Sequence, residues 1–152
     1  MIIRKAKKED IEEIHKLDKE SVKYHRKFDK DFFTISEKWW KIKKDSQLKA
    51  ISSRKDIVLV AFDDKVVGYI WGYFEREVGK LQELIVISRC RGKGLGKKLI
   101  SEALKLLKKK CAVVNIEVYV DNEPTVKVYE KLGFKKKEYK MQLRFRNYKP
   151  FS

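Results

Sequence analysis

The sequence predicts an α/β (α+β) chain built on one mixed β-sheet of about six to seven strands, with helices on both faces. Three observations lead there. Runs rich in Val and Ile alternate with runs whose apolar residues recur every three or four positions. Two of the β-rich runs, 56–62 and 66–75, are joined by Asp63-Asp64-Lys65, a tight turn, and so form a hairpin. A third, 80–87, passes through the glycine-rich turn Arg91-Gly92-Lys93-Gly94-Leu95-Gly96 into a helical stretch.

Each element has a local reason. Met1 to Ala6 is a short first strand. Ile11, Ile14 and Leu17 line one side of a helix over 9–24, with Asp10, Glu12 and Glu13 near its N-terminus, where negative charge is favoured. Ser36 caps a second helix that begins at Glu37. On it Trp40, Lys43, Gln47 and Ala50 share one side, and Trp39, Ile42 and Leu48 another. With Phe28, Phe32 and Phe33 the tryptophans concentrate aromatic surface in this region. After the glycine turn, Leu95, Leu99, Ala103, Leu106 and Leu107 recur at helical spacing over 97–110. A strand over 112–120 follows. Then comes a helix over 124–132, with Asn122 as N-cap, Pro124 in its first turn and Gly133 as its stop. A long last strand is expected over 134–145.

The 152-residue chain is 43% hydrophobic, enough for a core, and has no linker, repeat or low-complexity tract, so 1–152 is expected to be a single domain. Lys and Arg number 38 against 22 Asp and Glu, a net charge of +16. Such a surface attracts polyanions and repels polycations. Nucleic acid therefore stays among the candidate partners, and free polyamines are disfavoured as substrates. The basic residues are mostly lysines spread along the chain, with no arm that collects them. Cys90 and Cys111 form no C-x-x-C pair and the histidines are His15 and His25, so neither a metal site nor a disulfide framework is expected. No apolar run reaches the roughly 18 residues a membrane span needs, and Met1-Ile2-Ile3-Arg4 lacks a signal-peptide core. The expectation is a cytoplasmic protein, monomer or homodimer, with no membrane partner.

The glycine turn is the chemically informative stretch. Glycine admits φ > 0 and close approach of a ligand to its N–H groups. The start of the following helix adds unpaired donors and partial positive charge, which suits a phosphate. The third glycine comes one residue too early for G-x-G-x-x-G, and no stretch satisfies the mononucleotide loop. What remains, R-x-x-G-x-G, resembles the diphosphate loop of the GNAT superfamily of N-acetyltransferases. A second segment, Asn122-Glu123-Pro124-Thr125-Val126-Lys127-Val128-Tyr129-Glu130-Lys131-Leu132-Gly133-Phe134, is similar to the family's N-to-GF segment almost throughout. Thr125 stands where alanine is commoner.

The resemblance implies a single N-acetyltransferase domain with acetyl-CoA as co-substrate, no metal, and a primary amine as acceptor: a protein N-terminus, a lysine or a small amine. It implies that main-chain N–H groups of Gly92, Gly94, Leu95, Gly96 and Lys97, helped by Arg91 and Lys93, hold the CoA diphosphate. Leu84, Ile85 and Val86 would pair with the pantetheine arm and polarise the thioester carbonyl. That requires the fourth and fifth strands to splay, for which a bulge is the usual device. Asn122 would bond the pantetheine, and Tyr129 would act as general acid on the CoA sulfur. The general base is left between Glu83 and Glu117, with Glu83 preferred; Gln82 beside it cannot serve. Two alternatives stand beside the enzyme. A CoA or nucleotide sensor without catalysis is opposed by the intact Tyr129. A nucleic-acid-binding domain gripping phosphates with Arg91, Lys93 and Lys97 leaves 122–134 unexplained.

Overall fold

The sheet is ordered β1-β2-β3-β4-β5 along its width. The computed structural model describes residues 1–30 and 35–146. Its elements are β1 (Ile2–Lys5), α1 (Ile11–His25, entered through a 3₁₀ turn at Lys8–Asp10), α2 (Glu37–Ser52), β2 (Asp56–Asp63), β3 (Lys65–Glu75), β4 (Val78–Val86), α3 (Leu95–Leu107), β5 (Val113–Ile116) and α4 (Glu123–Lys131). β1 to β4 pair antiparallel, and β5 joins β4 in parallel. Phe32 and Phe33 lie outside the described residues.

The helices cover both faces. α3 packs on β2, β3 and β4. Its Leu95, Leu99, Ile100, Ala103 and Leu107 are buried with Leu59, Ile70, Leu81 and Tyr129 in one apolar core. Burying each of the larger side chains is worth about 1.5–3 kcal/mol. α1 and α2 pack on the opposite face, where Ile14 and Leu17 meet Val60, Tyr69 and Ile85. The N-terminal corner is pinned by Arg4, whose guanidinium grips the Asp10 carboxylate with two bonds of 2.7 and 2.9 Å, while the Lys7 amide donates to the same carboxylate. Ser36 caps α2, its Oγ accepting from the Trp39 amide at 3.2 Å.

Two strands differ from expectation. β5 is only Val113–Ile116, because the chain leaves β4 after that point. Residues 134–145 form no strand, so the sheet of the described residues has five strands, fewer than predicted. The period-2 pattern that suggested one is present: Tyr139, Met141, Leu143 and Phe145 alternate along it. All four are exposed, and among the described residues the segment joins no strand ladder. Alternation marks a strand only when a neighbour completes its ladder.

Candidate active site

β4 changes character midway. Val78 to Leu81 pair with β3 on one side and with Val113 to Ile116 on the other. From Glu83 to Val86 only the β3 side is paired. At the junction lies a bulge: Trp71 faces Glu83 and Gly72 faces Leu81, so Gln82 has no partner. The extra residue reverses the faces. Leu81 points into the α3 core. If the strand alternated regularly through Gln82, Glu83 and Ile85 would follow it there. Because Gln82 is an extra, unpaired residue, Leu84 and Val86 take the α3 side, while Ile85 packs under α1 and Glu83 reaches α2.

The glycine turn stands at the open end of β4. Gly92 and Gly94 have φ of +71° and +79°, and a Cβ at either would meet nothing within 4 Å. Backbone conformation, not crowding, demands glycine there, and the space beside the N–H groups is open. Gly94 is the N-cap of α3, so no side chain occupies the first donors of that helix. Leu95 is buried and anchors the turn, while Lys93 and Lys97 are exposed beside it. A Cβ at Gly96 would come into ordinary contact with Leu84 at 3.7 Å and Val86 at 3.9 Å. Arg91 has a structural task that the sequence did not suggest. Its Nε donates to the Val86 carbonyl at 2.8 Å, and its guanidinium lies over the Tyr24 ring at 4.8 Å, fastening the turn to the strand end.

Across the gap, Asn122 is buried at the N-cap position of α4 but makes no side-chain cap. Its carbonyl takes the Thr125 and Val126 amides, and its Oδ1 accepts from the Tyr24 hydroxyl at 3.4 Å. Tyr24 thus touches both the turn and Asn122. Phe28 stacks on Tyr119 beside it, with ring centres 5.6 Å apart. α4 ends in a Schellman motif: the Gly133 amide bonds the Glu130 carbonyl and the Phe134 amide bonds the Tyr129 carbonyl, with Gly133 at φ +97°. Phe134 then packs edge-on against Tyr129. The Gly-Phe pair fixes the tyrosine ring, and burial pushes its phenol up to about 12.

The two candidate bases sit in contrasting places. Glu83 accepts a hydrogen bond from Tyr69 and an ion pair of 2.8 Å from Lys43; its side chain is 17% exposed. Glu117 lies past the end of β5, 75% exposed, and pairs with Lys80 at 2.9 Å. That lysine holds the Glu117 carboxyl below its ordinary range. Glu83 thus stands on the parted half of β4, Tyr129 is buried in the core cluster that includes Val86, and Glu117 lies past the end of β5. A depression of about 510 Å³ on the β3–β4 turn, lined by Tyr73, Arg76 and Lys80 among others, lies at the far end of the hairpin from the glycine turn. Among the described residues no cluster of three or more His, Cys, Asp or Glu could hold a metal, and no helix is long and apolar enough to cross a membrane.

A strand freed at a bulge, a glycine turn and a tyrosine held by a Gly-Phe stop occur here together, and the profile of the Acetyltransferase (GNAT) family matches residues 8–134. The chain belongs to the GNAT family. An uncharacterized N-acetyltransferase of Methanocaldococcus jannaschii is 30% identical over 145 residues, covering 90% of this chain and 61% of that relative. An N-alpha-acetyltransferase of Sulfurisphaera tokodaii is 32% identical over 87 residues, 48% of this chain and 52% of that one. Against the first, this chain spans about three-fifths of the relative's length. Among solved structures, the PaiA N-acetyltransferase of Thermoplasma acidophilum in complex with coenzyme A superposes with a TM-score of 0.74 at 25% identity, over 91% of this chain and 92% of that one. A tetramutant of the BH1408 protein from Bacillus halodurans shares the fold with a TM-score of 0.83 at 24% identity, over 95% and 100%.

Against that GNAT frame, Asp18, Tyr24, Lys43 and Tyr69 are the residues that sequence reasoning missed. Two of them left a signal. Asp18 is a charge in the apolar stripe of α1, between Ile14, Leu17 and Ser21. Lys43 is a cation on the side of α2 that buries Trp40, Gln47 and Ala50.

Proposed function

We propose that the chain is an acetyl-CoA-dependent N-acetyltransferase in which a primary amine attacks the thioester directly, in a ternary complex. The observation that carries this is the half of β4 from Glu83 to Val86, unpaired toward β5 and ending under the glycine turn. Along Leu84, Ile85 and Val86 the main-chain groups that face away from β3 suit a pantetheine arm, apart from the Val86 carbonyl that Arg91 holds. The N–H groups from Gly92 to Lys97, with Lys93 and the free end of Arg91, suit a diphosphate. Asn122 closes the other wall. Acetyl-CoA supplies an activated acyl group.

The remaining chemistry falls to two side chains. Glu83 takes the proton from the acceptor's ammonium; the N–C bond forms and the C–S bond breaks. Glu117 is the poorer candidate, since it is 75% exposed and held by Lys80 beside the paired half of β4. Tyr129 meets the departing thiolate. A phenol near 12 is a weak acid beside a thiol of about 8.5, so full transfer is uphill by about 5 kcal/mol. Tyr129 therefore serves as a hydrogen-bond donor that steadies the thiolate, which then takes its proton from solvent.

The acceptor is a primary amine: a protein N-terminus, a lysine or a small amine. A relative named N-alpha-acetyltransferase puts peptide N-termini first in any panel. The test is release of free CoA thiol from acetyl-CoA with peptides, lysine derivatives and small amines. Amine-dependent release, lost in Glu83→Gln, is expected. Binding of acetyl-CoA with no turnover across the panel would make the protein a sensor instead. Absence of binding would overturn the whole reading.

A further inference from the structure

Under α1 and α2 lies a buried polar cluster for which acetyl transfer as described has no use beyond Glu83. Asp18 on α1 is 1% exposed and Tyr69 on β3 is fully buried. The Tyr69 hydroxyl lies 2.6 Å from Asp18 Oδ1 and also within bonding reach of Glu83 Oε2. It has one proton and two carboxylate neighbours, so it serves one at a time. Gln47 Nε2 donates to Asp18 Oδ2 and, at 3.2 Å, to the Tyr69 oxygen. Lys43 Nζ sits 2.8 Å from Glu83 Oε1 and 3.5 Å from Asp18 Oδ1, over the Trp39 ring at 5.2 Å.

A methyl-bearing side chain at position 18 would serve the α1 stripe better than a carboxylate that is 1% exposed. Two carboxylates and one ammonium leave one negative charge uncompensated in a site at most 17% exposed, and one further proton balances it. A group that must accept a proton from an incoming ammonium needs that vacancy.

We propose that Asp18 is a positioning residue for the acyl transfer: through the shared Tyr69 hydroxyl it orients Glu83, and its charge offsets Lys43 so that Glu83 can take the acceptor's proton. The inference rests on Glu83 being the base. Lys43 alone would favour the ionised carboxylate and oppose proton uptake. Asp18 opposes Lys43. When the proton passes from nitrogen to Glu83, the pair holds one negative charge against one ammonium. The electrostatics agree with the geometry. Burial, then the Glu83 charge, push Asp18 up to about 6. Burial alone would lower Lys43, but the charges of Glu83 and Asp18 outweigh it and hold the ammonium above its ordinary value. A further titratable neighbour is His25 on α1, which burial holds below its ordinary value and which also feels Lys43, Arg91 and Glu83.

The test is the pH dependence of kcat and kcat/KM for wild type, Glu83→Gln, Asp18→Asn and Tyr69→Phe. Asp18→Asn should move the acidic limb about one unit toward lower pH and lower kcat about tenfold, with the KM for acetyl-CoA unchanged. Loss of activity by one factor at every pH, with the limb in place, would mean a merely structural role and overturn the proposal. Should Asp18→Asn fail to fold, Tyr69→Phe keeps the ring and cuts the bridge. Its limb should move toward higher pH, because Glu83 loses a donor to its ionised form; an unmoved limb overturns the proposal. A Glu83→Gln protein that keeps the wild-type limb overturns the base assignment and this inference with it. One that loses the limb while Asp18→Asn keeps it overturns this inference alone.

Discussion

The two halves of β4 make opposite use of the same backbone. In the lower half, Val78 to Leu81 are hydrogen-bonded on both edges, and a Cβ at Gly79 would lie 2.8 Å from Cys111 Sγ and 3.2 Å from Val114. Nothing can be added there. In the upper half, Glu83 to Val86 keep one edge open, and the glycines above them face open space. The lower half holds the sheet together; the upper half holds a position for something else. Gln82 separates them, and its bulge decides which face each side chain serves. Residues below it should therefore govern stability and residues above it binding and turnover.

Removing the bulge should have the largest effect. One residue inserted between Trp71 and Gly72 gives Gln82 a partner, restores simple alternation and turns Glu83 toward the α3 core, where an unpaired charge costs on the order of 3–5 kcal/mol. A thermal melt should show a protein that is unfolded or close to it, and no transfer. Next comes Leu81→Ala, a lower-half cavity in the α3 core. It should cost about 2–5 kcal/mol in denaturant titration while leaving acetyl-CoA affinity as it was. Its counterpart above the bulge is Gly94→Val. The space is open, but φ of +79° is hostile to a β-branched residue. The fold should lose about 1–2 kcal/mol, and calorimetry should show acetyl-CoA binding weakened about a hundredfold as the N–H groups move out of line.

Smaller effects sharpen the same contrast. Tyr129→Phe should lower kcat about tenfold, the scale of one lost hydrogen bond to developing charge, with acetyl-CoA binding unchanged. Asp10→Asn lies far from both halves of β4 and should touch stability alone. The Arg4 hydrogen bonds hold Asp10 below its ordinary carboxylate value. Its stabilisation is therefore complete above the unfolded value and fades as pH falls through the folded one. The variant should be about 1–2 kcal/mol weaker at pH 7 and nearly equal to wild type in strong acid.

Much of this was legible in the sequence, for physical reasons. Helix periodicity placed α1, α2 and α3, and Ser36 marked the start of α2, because local patterns and caps are local physics. The glycine spacing and the 122–134 segment located the turn and Tyr129. The long last strand was misread, since alternation in 134–145 says nothing of whether a partner edge is available. Asn122 is the N-cap residue as read, but its side chain makes no cap bond and faces Tyr24, a partner 98 residues away. The bulge at Gln82 and the Asp18–Tyr69–Glu83 contact were hidden for the same reason. Both depend on register between distant strands and on which helix faces which, and no local pattern encodes either.

Amide hydrogen exchange with and without acetyl-CoA tests the division of β4 most directly. The account predicts slowed exchange on binding at the open-edge amides of 84–86 and at 92–97, with 78–81 unchanged because they are already bonded. Protection confined to the lower half, or none along 84–97, would contradict it.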